Sequence, residues 1–273
     1  MTVKTGALHA VWGVNTGNLY ALWSGVLVHF DGNTWVPTPG FGKERFVGLH
    51  GSGPSNIWAI GDHGDASHFD GRWRATKTGT TEDLHAVFAR DTGDVWAVGD
   101  HATILHWDGT AWARAPLAPD VKKPALEAVW ASTANDAWAV GSGGTVLHYD
   151  GKTWGQSVTG APLPLHAVWG TGPSDVWAAG SGGTLLHHDG KGWHPVASGT
   201  SEPLWAGWAE DPKNAWVVGE RGTILHWDGD RWAPSASGTT DALHGIWAPV
   251  GRDIWIVGFA PQPGPTSTWR RKT

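Results

Sequence analysis

Apolar residues occur along this chain in short bursts, such as "LHAVF" (84–88), "VWAVG" (95–99) and "TILHW" (103–107). Gly, Asp, Asn and Ser separate them, and no 3.6-residue period links one burst to the next. Bursts of this length, bounded by turn residues and rich in Trp and Val, predict β-strands and not helices. The burst of the "TILHW" type ends in Asp-Gly and is followed by another Trp. Asp-Gly favours the positive φ angles of a tight hairpin turn, so the segment after it is predicted to fold back as a further strand.

The pattern repeats. Aligned on "DVWAVG" (94–99), the central aromatic falls at Tyr20, Trp58, Trp96, Trp138, Trp177, Trp216 and Trp255, at intervals of 38, 38, 42, 39, 39 and 39 residues. A second register, Trp12, His50, Phe88, Trp130, Trp169, Trp208 and Trp247, has the same intervals. Seven units of four short strands predict an all-β, seven-bladed β-propeller occupying residues 1–273 as one domain. The last unit has no fourth strand of its own. Residues 2–6, "TVKTG", match the fourth-strand tail "ATKTG" (75–79), so the N-terminus is expected to complete the last blade and close the ring.

Composition narrows the function. Charged residues are only 16% of the chain, net charge is -6, and 40 glycines and 22 tryptophans stand out. An acidic balance argues against a nucleic-acid partner. No apolar run is long enough to span a bilayer, so membrane insertion is not expected. Without cysteine there is no disulfide or thiolate chemistry. No phosphate loop, "HExxH" or Ser-His-Asp motif appears.

Several motifs resemble known propellers. "GTILHWDG" (222–229) resembles the third strand of WD40 repeats, without the Gly-His that opens a WD40 unit. "YDGKTW" (149–154) is similar to the tail of the Asp-box of sialidase-like and photosystem-assembly-factor propellers, and "VWGVNTGNLY" (11–20) to a tectonin-type lectin repeat. The resemblance implies a propeller and no particular activity.

Scaffold residues can be subtracted. All tryptophans but Trp23 and Trp205 occupy repeating slots, where burial of each indole contributes at most about 4–6 kcal/mol. His29, His68, His106, His148, His187 and His226 share one third-strand slot and are expected to bond neighbouring backbone. Asp31, Asp70, Asp108, Asp150, Asp189 and Asp228 make the Asp-Gly turns, and Asp94, Asp136, Asp175 and Asp253 begin second strands.

What remains gathers on one face, where second-to-third-strand turns and blade-to-blade linkers emerge. The candidate ligand-binding residues there are Trp23, Asp62, His63, Asp100, His101, Trp205, Glu220, Arg221 and Phe259. Irregular loops on a rigid frame are where recognition concentrates. Aromatic rings and carboxylates suit a glycan, and the same face suits a protein ligand, so a non-catalytic binding module without cofactor is one expectation. Repeated pockets between blades are a second possible location. The alternative is a metal-binding enzyme with an axial cluster of His9, His85, Glu127, His166 and His244, whose imidazole and carboxylate groups suit zinc, copper or iron.

Overall fold

The computed structural model describes residues 8–38, 45–249, 253–259 and 268–271. Each repeat forms an antiparallel meander that steps outward from the centre. In the third, Leu84–Asp91 is the inner strand, followed by Asp94–Gly99, Ile104–Trp107 and Trp112–Arg114 at the edge. The inner strands Leu8–Asn15, Phe46–Gly53, Leu84–Asp91, Leu126–Thr133, Leu165–Gly172, Leu204–Asp211 and Ala242–Trp247 each pack on the next, and the last packs on the first. The result is a closed ring of blades around an axis.

The expectation of seven four-stranded blades requires correction. Six sheets have four strands, whereas the last repeat forms a sheet of three, Ala242–Trp247, Ile254–Phe259 and Thr268–Arg271. The proposed closing strand, residues 2–6, lies outside the described residues. The 42-residue interval is absorbed by the linker before Leu126. There Trp154 donates its backbone N–H to Pro116 (2.9 Å) and accepts from Ala118 (2.8 Å), so residues 116–118 run alongside and cover that blade edge.

Aromatic side chains join the blades. The second-strand Trp of one blade meets the outer-strand Trp of the next edge-to-face: Trp58 with Trp112, Trp96 with Trp154, Trp138 with Trp193 and Trp177 with Trp232, all at 5.1–5.2 Å. Trp255 reaches Phe30 of the first blade (5.6 Å), carrying the contact around the closure. Nearer the axis, inner-strand rings lean onto glycines of the following blade. A methyl group at Gly51 would sit 2.9 Å from the Trp12 indole, and one at Gly13 2.8 Å from that of Trp247.

The third-strand histidines do not bond backbone as expected. Each lies on its blade's second-strand aromatic, with ring centroids 4.0–4.6 Å apart. Each also places Nε2 on the Asp or Asn side chain that begins the second strand: Asn18, Asn56, Asp94, Asp136, Asp175 and Asn214, at 2.6–2.9 Å. A polar group buried beside an indole must be satisfied locally, and the cross-strand side chain does so.

Burial pushes the carboxyls of Asp94, Asp136 and Asp175 up. The bonds from their histidines, and from Arg90, Ser132 and Thr171 respectively, outweigh it and hold all three below the usual Asp range. Asp175 accepts from His187, Trp177 and Thr171 together. Asp175→Ala is therefore expected to cost about 2–4 kcal/mol, because three donors lose their partner. Asp175→Asn, the residue type of three other blades, should cost about 1 kcal/mol or less. Urea unfolding at neutral pH measures both.

The Asp-Gly turns follow the sequence reading. Asp31, Asp108, Asp150, Asp189 and Asp228 each accept two backbone N–H bonds from the residues closing the turn. Asp70 instead pairs with Arg74.

Candidate functional site

One face of the disc is regular and the other is not. Second-to-third-strand connections in the second to sixth blades are three-residue 3-10 turns: Asp62–Gly64, Asp100–Ala102, Ser142–Gly144, Ser181–Gly183 and Glu220–Gly222. Their first backbone N–H is held by the start of the inner strand, as in Asp62 to Arg45 O (3.2 Å) and Asp100 to Asp83 O (3.0 Å). The turns therefore sit directly over the mouth of the axis.

This geometry divides the predicted residues in two. In three of the turns the first residue faces inward. Asp100 Oδ1 lies 3.5 Å from His85 Nε2, Ser181 Oγ lies 2.9 Å from His166 Nε2, and Glu220 Oε1 accepts from the Trp205 indole at 3.0 Å. The second residue reaches sideways to a linker carboxylate. His63 donates its backbone N–H to Asp83 (2.7 Å), His101 Nδ1 meets Glu82 (2.8 Å), and Arg221 Nε is 3.6 Å from Glu202. His63, His101 and Arg221 also hold left-handed φ angles of 58°, 54° and 52°. They tie turns to linkers, and only Asp100 and Glu220 join the axial group. Asp62 begins its turn in the same position as those two.

Two further expectations change. Trp23 is half-buried against the core of the first blade, beside Leu8 and Val11, and offers no open platform. Trp205 stands between His166 (4.3 Å) and His244 (5.4 Å), so imidazoles flank its ring. The backbone of Phe259 pairs with Ala242, while its side chain lies outside the described residues.

The residue after the first leucine or phenylalanine of each inner strand forms a collar around the axis: His9, Val47, His85, Glu127, His166, Trp205 and His244. His9 and His244 are 5.9 Å apart, continuing the arc through Trp205 to His166. His85 Nδ1 lies 3.8 Å from Glu127. Burial holds His9, His166 and His244 below the usual imidazole range. The Arg45 charge adds to this at His9 and the His9 charge at His244, while Glu127 partly opposes it at His166. Among the described residues, no three His, Asp or Glu side chains converge to hold an ion.

A cavity of about 510 Å³ lies within the collar, lined by His9, Ser24, Gly25, Arg45, Phe46, Val47, His85 and Glu127. Arg45, Ser24, Gly25 and Val47 were not singled out from the sequence. The available signal was departure from the repeat: Val47 stands where four blades have His, and Arg45 where others have Asp83, Ala125, Pro164, Pro203 and Ala242.

No protein-family model matches this sequence, and no curated protein matches it. Solved structures do. YCF48 bound to a D1 peptide superposes with a TM-score of 0.78 at 16% identity, covering 100% of this chain and 94% of that one. YCF48 from Cyanidioschyzon merolae gives 0.74 at 14% identity, covering 94% of each chain. The WD40 β-propeller domain of Doa1 gives 0.78 at 10%, also covering 94% of each. At such identities the shared property is the fold, and this chain is an all-β propeller built from antiparallel, four-stranded blades.

Proposed function

We propose that this propeller is a non-catalytic interaction platform that takes a segment of a partner protein at the mouth of its axis. The observation that carries the reading is the collar. Seven equivalent strand positions converge there, and they hold four histidines, a valine, a glutamate and a tryptophan beside an open cavity. Their residue types differ, which suits recognition of a ligand that is not itself symmetric. The peptide bound by the YCF48 neighbour supports a protein partner. A sugar-stacking role is less favoured, because imidazoles flank Trp205 and Trp23 is packed into its blade.

Arrays of short peptides and of glycans, probed with the purified chain, test this. Peptide capture is expected, weakened about tenfold or more by Trp205→Ala, since centrally placed tryptophans dominate binding energy. Capture of glycans alone, or peptide capture indifferent to the collar, would overturn the proposal.

A further inference from the structure

The axial cavity lies where the first two blades depart from the repeat. In the first blade the second and third strands are joined by two residues, Ser24 and Gly25, with φ of 49° and 81°, in place of the three-residue 3-10 turn. Left-handed angles at both central positions make the connection tight. The Arg45 stem lies against it: a methyl group on Gly25 would be 3.2 Å from Arg45 Cγ. In the second blade Val47 leaves vacant the volume that an imidazole fills at His9, His85, His166 and His244.

The charges in this cavity are unequally served. Its carboxylate, Glu127, is near His85, and so is Asp100 of the adjoining turn. The Arg45 guanidinium is exposed and has no ion pair among the described residues. A guanidinium offers a planar fork of donors that matches a carboxylate in two parallel bonds. His9 and His85 add imidazole nitrogens to the lining. A phosphate dianion would bring more negative charge towards Glu127 and Asp100, so the smaller charge is the better complement. The volume is within the range of about 300–1,000 Å³ usual for ligand sites.

From this juxtaposition we infer that the axial cavity binds a carboxylate at Arg45, supplied by the free C-terminus of a partner protein's chain. The inference rests on the platform reading and specifies the group recognised. The burial of His9 fits it: burial and then the Arg45 charge lower its pKa, so its ring favours the uncharged form in which it bonds the ligand without a second full charge to solvate.

The test is an NMR titration of the full chain with three probes: N-acetyl-trialanine as the free acid, the same peptide as its C-terminal amide, and inorganic phosphate. The free acid should bind, and the amide should bind about tenfold more weakly or worse. Arg45→Gln should weaken the acid by a similar factor and leave the amide unchanged. Val47→His, which installs the residue type of four other blades, should abolish both. Unchanged melting temperatures would show that both variants fold.

Equal affinity for acid and amide would overturn the inference, as would tighter binding of phosphate or silence up to about 10 mM. In those cases peptide capture on the array, if retained, would leave the platform reading standing. Loss of both would remove both.

Discussion

Trp177→Ala should lower the melting temperature by about 10 °C. Trp177 is 1% exposed. Its ring lies on His187 at 4.2 Å within its own blade and meets Trp227 and Trp232 of the next at 5.0 and 5.1 Å. Its N–H bonds Asp175. Truncation would leave a large cavity at a joint between blades, for which a cost of about 3–5 kcal/mol is typical. Since each blade contacts only its neighbours, the damage should be local at first, with accelerated hydrogen exchange in strands 175–180 and 224–227 before others. Trp227→Ala, at the exposed side of the same cluster, should cost clearly less. Equal losses would mean that indole burial does not hold the joint.

The second large effect is on acid stability. His50 occupies an inner-strand slot that Trp or Phe fills in the other blades. Its ring lies 4.6 Å from Phe88, and its Nδ1 accepts the backbone N–H of Ala89 at 3.1 Å. Burial pushes its pKa down to about 4. A nitrogen that accepts an N–H must be unprotonated, so protonation would also break that bond. The folded pKa is below the unfolded one of about 6.5, so the associated stability is complete above that pH. It is lost as pH falls from about 6.5 to about 4, while the unfolded chain takes up a proton that the folded one refuses.

Partial solvent contact makes about 3 kcal/mol the ceiling for this loss. His50→Phe should remove that portion of the acid limb. The carboxyls of Asp94, Asp136 and Asp175 are held below the usual range, so their stabilisation persists to lower pH and is lost beneath about pH 4. Denaturant titrations at pH 7, 5.5, 4.5 and about 3 separate the windows. An unchanged slope in the variant would show that His50 does not titrate with unfolding.

Strand positions and Asp-Gly turns could be read from the chain because each is decided by a few consecutive residues. The partner of His187 could not, since Asp175 is twelve residues away and is placed beside it only by cross-strand register. The same limit applied to the face. Asp100 and His101 are adjacent in sequence, yet one turns towards His85 and the other to Glu82. Trp205 was conspicuous as an exception to the repeat, but the imidazoles beside it come from other blades. Arg45 and Val47 were inconspicuous because an ordinary residue marks the cavity by what it replaces.

The close fit of Trp12 over Gly51, and of Trp247 over Gly13, gives the ring a fixed sequence of neighbours. At these joints one repeat carries a bulge cut for the hollow of its successor. Moving the chain ends to another linker preserves every such match, so a circular permutant can retain the fold. Placing the third repeat, which has Ala89 at this slot, after the first would set the Trp12 indole against a residue with no hollow to receive it, so those modules are not interchangeable copies.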